Sequence, residues 1–276
     1  MNGYAGNLDE LRAEIADLSS RLHDSEALKS HFISNIANEI VNPFASILAL
    51  SSQIMLADNV DMVQIKRQAS LIHTEAFHLD FQLRNIFAAA KLEAGQTEPE
   101  VRSFKVWDAM SELVSLFQLE ADKKKLSINV VLNNGLSADF KWTTDLIKLK
   151  LIIINFLHNS VKFSKQNTEI TIFIDHIDEE LIISVLDNGI GIPQSQVDFI
   201  FDRFKTIGAG INTAYRGNGL GLCVNKALSD IIGSKIDLKT EDGVGTEFII
   251  YIPLLILPDE ENASNSDFFF DDELIF

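Results

Sequence analysis

The 276 residues predict an α+β chain in two parts, a long helical hairpin followed by an α/β domain. Three observations carry that prediction. The first ninety-odd residues repeat apolar side chains in alternating steps of three and four, the signature of packed helices. Beyond Pro99 the pattern changes to short β-branched runs separated by helix-length segments, as in a mixed α/β layer structure. The chain is 46% hydrophobic, and at roughly 100–200 residues per domain it has room for about two domains, each with its own core.

The elements follow in order. Leu8, Leu11, Ile15, Leu18 and Leu22 form a coiled-coil seam, so residues 1–30 are expected to be a coiled-coil helix. Ser25 and Lys29 interrupt the seam before Phe32, Ile36 and Ile40 resume it. Pro43 lies inside this helical stretch, where it kinks the helix or removes one hydrogen bond. A polar turn at residues 58–61 leads into a second helix of about 30 residues. Its stripe runs Ile65, Ala69, Ile72, Ala76, Leu79, Leu83, Ile86 and Ala90, and Gly95 and Pro99 close it. A lone hairpin of residues 31–97 cannot cover such a stripe, so two copies are expected to pair into a four-helix bundle. Glu98-Pro99-Glu100 reads as a hinge. Strands are expected at 126–132, 170–177, 181–186, 236–238 and 248–252, and helices near 107–121, 145–163 and 218–232, giving an α/β domain over 101–257. Residues 258–276 form an acidic tail with seven acids and no base.

Charge and cysteine usage narrow the function. The formal net charge of −17 opposes binding to nucleic acid phosphates. Cys223 stands alone, which excludes a disulfide framework or a cysteine zinc site and fits a reducing cytosol. No apolar run approaches the ~18 residues of a membrane span, and the first residues have no signal-peptide pattern, so a cytoplasmic protein is expected.

Several segments carry chemistry. Asp187-Asn188-Gly189-Ile190-Gly191 follows a predicted strand, placing a carboxylate where it can accept from the amino group of a base, with backbone close to the ligand. Gly217-Asn218-Gly219-Leu220-Gly221 opens a helix whose N–H groups suit phosphate oxygens. Gly243-Val244-Gly245-Thr246 precedes the last strand. Asn155 and Asn159 share one helix face, followed by Lys162; amide oxygens suit Mg²⁺, and a lysine suits phosphates.

Five boxes, "NFLHNSVKFS", "DNGIGIP", "IFDRF", "GNGLGL" and "GVGTEF", occur in the order and approximate spacing of the ATP-binding domain of sensor histidine kinases. That domain is part of the wider gyrase, Hsp90, histidine kinase and MutL ATPase fold (the GHKL or Bergerat sandwich). The resemblance implies a mixed sheet covered by helices on one face. It implies Asp187 on the adenine amino group, Asn159 on Mg²⁺, Asn155 and Lys162 beside the phosphates, and Gly189, Gly191, Gly217, Gly219 and Gly221 along the nucleotide. Phe204, Leu220 and Thr246 lie within the same boxes and join the expected ATP-binding set. Residues 205–216 resemble the lid that closes over ATP. The hairpin resembles the family's dimerisation and phosphotransfer domain, with "FISNIANEIVNPFASIL" in place of the phosphoacceptor box and the first helix as its input.

The box departs from the family in one decisive way. Glu39, Asn42 and Pro43 are kept, but the acceptor histidine position holds Asn38, and the basic position after it holds Val41. An amide nitrogen has its lone pair delocalised into the carbonyl and cannot attack a γ-phosphate. The resemblance therefore implies a two-component protein that binds ATP without phosphorylating its own acceptor position. Such a protein would regulate, or phosphorylate in trans, a partner kinase or response-regulator receiver, as a homodimer or a heterodimer with a related kinase. The rival readings are a phosphatase of a phospho-receiver, with Asn42 orienting water, and a scaffold with an unused pocket. The change reads as a natural loss rather than an engineered trap, since Val41 differs as well.

Overall fold

The computed structural model describes residues 15, 19, 37, 40–56, 61–96, 98–201 and 220–255. Most of the Leu8–Leu22 seam, Asn38 and Glu39, the stretch 202–219 with Phe204, Gly217, Gly219 and the expected lid, and the acidic tail lie outside them. Two compact units account for the chain, one comprising residues 1–97 and 192–227, the other 98–191 and 228–276.

In the first unit, residues 40–55 (α1) are helical through Pro43. The second helix, α2 (Met62–Glu93), starts at Asp61, whose carboxylate accepts from the Val63 N–H as an N-cap. It ends with Gly95 at φ +72°, the left-handed conformation that glycine adopts without a Cβ penalty. Gln68 Nε2 donates to Gln53 Oε1 at 2.9 Å, joining the two helices. The expected stripe is present on α2 but incompletely covered: Ile65, Ile72, Leu79, Leu83 and Ile86 are half-buried.

The second unit opens with β1 (Val101–Lys105), α3 (Val106–Lys124), β2 (Ser127–Leu132), β3 (Lys141–Asp145) and α4 (Leu146–Phe163). β4 (Glu169–Ile177) and β5 (Glu180–Asp187) follow, and last β6 (Lys235–Glu241) and β7 (Gly245–Pro253); the intervening short helix α5 (Gln194–Val197) and residues 221–227 of α6 (Gly221–Ile231) fall in the first unit. Five strands form one mixed sheet in the order β2-β4-β5-β7-β6, with β2 parallel to β4 and every other pair antiparallel. Strand alternation decides which side chains enter the core. Ile170, Ile172 and Ile174 of β4, Leu181, Ile183 and Val185 of β5, and Phe248, Ile250 and Ile252 of β7 are buried. They meet the apolar faces of α3 (Met110, Leu113, Phe117) and α4 (Leu149, Ile152, Ile153, Phe156), and Phe156 stacks on Phe248 with ring centroids 4.8 Å apart. This is the helix-covered mixed sheet that the motifs imply.

β1 and β3, which the sequence reading missed, pair as a separate two-stranded sheet. "VRSFK" and "KWTTD" are too polar to stand out as strands, and only their pairing reveals them. The expected hinge is fastened to the second unit: the Glu100 N–H donates to Asp145 Oδ2 at 2.8 Å, and Lys148 Nζ to the Glu98 carbonyl at 3.0 Å.

Candidate nucleotide site

Helix α4 places three of the expected residues. Its N-terminus is set by Asp145, fully buried, whose Oδ1 accepts from the Lys148 N–H at 2.9 Å. Its C-terminus is held by Lys124, the last residue of α3. The ammonium donates to the Val161 and Lys162 carbonyls at 2.7 and 2.6 Å, satisfying groups that a helix end leaves unpaired. Burial pushes the Lys124 pKa down. Between these anchors Asn155 is buried, and Asn159 and Lys162 are half-buried. The four-residue spacing puts both amides on one face.

Asp187 ends β5 opposite Thr246, the second residue of β7. Its side chain is 4% exposed. The Gly189 N–H donates to Oδ1 at 2.9 Å and the Ser160 hydroxyl to Oδ2 at 3.2 Å, while the Thr246 backbone N–H is a third donor. Burial pushes the carboxyl pKa up to about 6, and these three hydrogen bonds oppose the rise. A buried carboxylate with no ion pair among the described residues is costly for a fold and useful for a ligand that brings an N–H.

The loop after Asp187 is built around missing side chains. A Cβ on Gly189 would lie 2.6 Å from Asp187 Oδ1 and 2.7 Å from the Phe163 carbonyl, so any larger residue would crowd the carboxylate. Gly191, at φ +69°, serves a different need: its absent Cβ would lie 2.0 Å from the Glu241 carbonyl. The loop is thus wedged between α4 and the β6–β7 turn, with Ile190 N–H donating to Phe163 O and Ile190 O accepting from the Gly243 N–H. The Ser164 hydroxyl, at the end of α4, is buried with no hydrogen-bond partner in the described structure. It pairs through its backbone with Gly189 in an isolated bridge.

Asn155, Asn159, Lys162, Asp187, Gly189, Gly191 and Thr246 all belong to the second unit. Leu220 is buried and Gly221 begins α6. On the hairpin Asn42 and Val41 are exposed, Val41 by 60%. Sequence reasoning missed Ser160 and Ser164, both within the box "NFLHNSVKFS"; buried serines on a helix that faces a carboxylate were the available signal. The donor set fits an adenine nucleotide: a carboxylate for an amino group, amides for a hard cation, and a nearby lysine for phosphate. Among the described residues no cluster of His, Cys, Asp and Glu forms a metal site, and an Asn-bound Mg²⁺ shared with phosphates needs none.

The sheet, the covering helices and the buried aspartate define an ATPase domain of the GHKL class. Residues 144–256 match the family of histidine kinase-, DNA gyrase B- and HSP90-like ATPases. The chain is 27% identical over 260 residues to the circadian input-output histidine kinase CikA of Synechococcus elongatus, covering 92% of this chain and 34% of that protein. It is 27% identical over 249 residues to the autoinducer 2 sensor kinase/phosphatase LuxQ of Vibrio parahaemolyticus, covering 87% of this chain and 29% of that one. The solved structure of histidine kinase ThkA in complex with response regulator protein TrrA shares the fold, with a TM-score of 0.52 and 20% identity over 92% of this chain and 67% of that one. Residues 144–256 are therefore a domain of this ATPase family, and the chain as a whole is similar to sensor histidine kinases. It spans about a third of the length of these curated relatives.

Proposed function

We propose that this chain is a two-component signalling protein of the cytoplasm that binds Mg·ATP and does not phosphorylate its own acceptor position. The observation that carries the first half is the buried Asp187 carboxylate at a glycine-cleared strand end. There it accepts from the adenine amino group, with Asn159 on Mg²⁺ and Asn155 and Lys162 beside the phosphates. Bound Mg²⁺ would neutralise charge on the phosphates and orient the γ-phosphoryl group. The second half rests on Asn38. With no nucleophile at its acceptor position, the hairpin acts through a partner, as regulator or as trans-kinase of a related chain or a receiver. The half-buried stripe of α2 supports pairing of two chains, as a homodimer or a heterodimer.

Asn38→His tests this. The parent should acquire no acid-labile phosphate from γ-labelled ATP, and the variant should acquire some, reduced because Val41 replaces the usual basic residue. Labelling of the parent would overturn the proposal. A second reading, phosphatase of a phospho-receiver, has one specific support: Asn42 is exposed on the hairpin, one turn from the acceptor position, where it can orient water. LuxQ is itself described as a kinase/phosphatase. Loss of phospho-receiver hydrolysis in Asn42→Ala, with ATP binding intact, would favour it.

A further inference from the structure

Ser160 lies one position beyond Asn159, so it points about 100° around α4 from the cation-binding face. It is fully buried, and its hydroxyl reaches across to β5. A serine in a helix interior commonly bonds back to its own helix; this one donates to Asp187 Oδ2. A carboxylate can only accept, so the direction of the bond is fixed. Gly189 belongs to the loop that follows the aspartate, and Thr246 to the neighbouring strand. Ser160 is the donor contributed by the helix that also carries Asn155 and Asn159.

We infer that Ser160 is a positioning residue for nucleotide recognition, its hydroxyl holding the Asp187 carboxylate ionised and turned so that one lone pair remains for the base's amino group. The inference deepens the ATP-binding reading and rests on it. With Ser160 on Oδ2, Gly189 on Oδ1 and the Thr246 amide as a third donor, rotation of the carboxylate is arrested; with Ser160 removed, Oδ2 loses the donor that α4 supplies. The groups acting on Asp187 from α4, its own loop and β7 are the Ser160 hydroxyl and the Gly189 and Thr246 amides, all neutral. No charged side chain is available among them to replace the lost donor, so ionisation becomes harder.

The test is Ser160→Ala, which removes one oxygen and leaves no large void. Two measurements are made on the parent and the variant. One follows the Asp187 carboxyl ¹³C shift with pH in the nucleotide-free protein, assigned with Asp187→Asn. The other follows the Mg·ATP dissociation constant from pH 5.5 to 8.5. The carboxyl midpoint should rise by roughly half a pH unit or more. Below the midpoint the variant should lose about threefold more affinity than the parent, and the protonation of ATP itself cancels in the comparison. Coincident midpoints and parallel affinity profiles would overturn the role of Ser160. A parent that binds no ATP, or binds it equally well as Asp187→Ala, would instead overturn the nucleotide reading; the carboxyl midpoints would still decide whether Ser160 controls Asp187.

Discussion

Helices α2 and α4 were both legible as amphipathic, yet they bury themselves in opposite ways. α2 has 32 residues and buries three, Gln68, Phe81 and Asn85, two of them polar. α4 has 18 residues and buries nine. Its apolar face is matched by its own sheet, with Phe156 on Phe248 and Ile153 fully enclosed. On α2, Leu71 and Phe87 remain 44% and 53% exposed. The stripe of α2 is half covered among the described residues, which the proposed pairing of two chains would complete, whereas the α4 face is already complete. If α2 serves assembly as proposed and α4 a folded site, substitutions in them should separate cleanly.

The largest expected effect is on assembly. Leu79→Glu places like charges against each other at the paired stripe and should convert a dimer to monomers by light scattering, with the Mg·ATP dissociation constant unchanged. A monomeric parent would break the comparison at its root. Next comes the site. Asp187→Ala should weaken Mg·ATP binding by about 100-fold, since it removes a buried charged acceptor, and should leave the mass in solution unaltered. GTP should bind neither protein appreciably, because guanine presents a carbonyl where adenine presents its amino group. Equal affinity of parent and variant in calorimetry would show that the base is read elsewhere.

Core truncations sharpen the contrast. Ile153→Ala should cost about 2–4 kcal/mol in denaturant unfolding of the α/β domain, at any protein concentration. Leu79→Ala should cost less, and its effect should depend on concentration if, as the proposed pairing requires, the contact it removes is between chains.

The smallest effect is a pH dependence. The Asp187 carboxyl titrates at about 6 in the fold against 3.8 for the free side chain, so the native state holds its proton longer than the unfolded chain does. This contribution to stability is present in full below about pH 4 and is lost as pH rises through 6. The melting temperature of the nucleotide-free parent should therefore fall relative to that of Asp187→Ala between pH 4 and 7, then run parallel to it. Nucleotide binding has the opposite preference, since the ionised carboxylate is the better acceptor. A constant difference across that range would show that burial does not raise this carboxyl.

Much of this was readable in one dimension because the information is local. The order of strands and helices, the four-residue spacing of Asn155 and Asn159, the glycines after Asp187 and the substitution at Asn38 are properties of short segments. Periodicity and backbone freedom express them directly. The features missed join distant segments. β1 and β3 become strands only by pairing with each other, the Ser160 hydroxyl meets a carboxylate 27 positions away, and Lys124 caps a helix end 37 and 38 positions away. The Asp145 carboxylate captures the Glu100 amide 45 positions before it, turning an expected hinge into part of the domain. The sequence by itself therefore determined which chemistry the chain carries, since residue type and spacing limit what a segment can bind. Tertiary structure alone decided which donors surround the buried carboxylate and hence where it titrates, because burial and hydrogen bonding depend on neighbours brought together only when the sheet and helices pack.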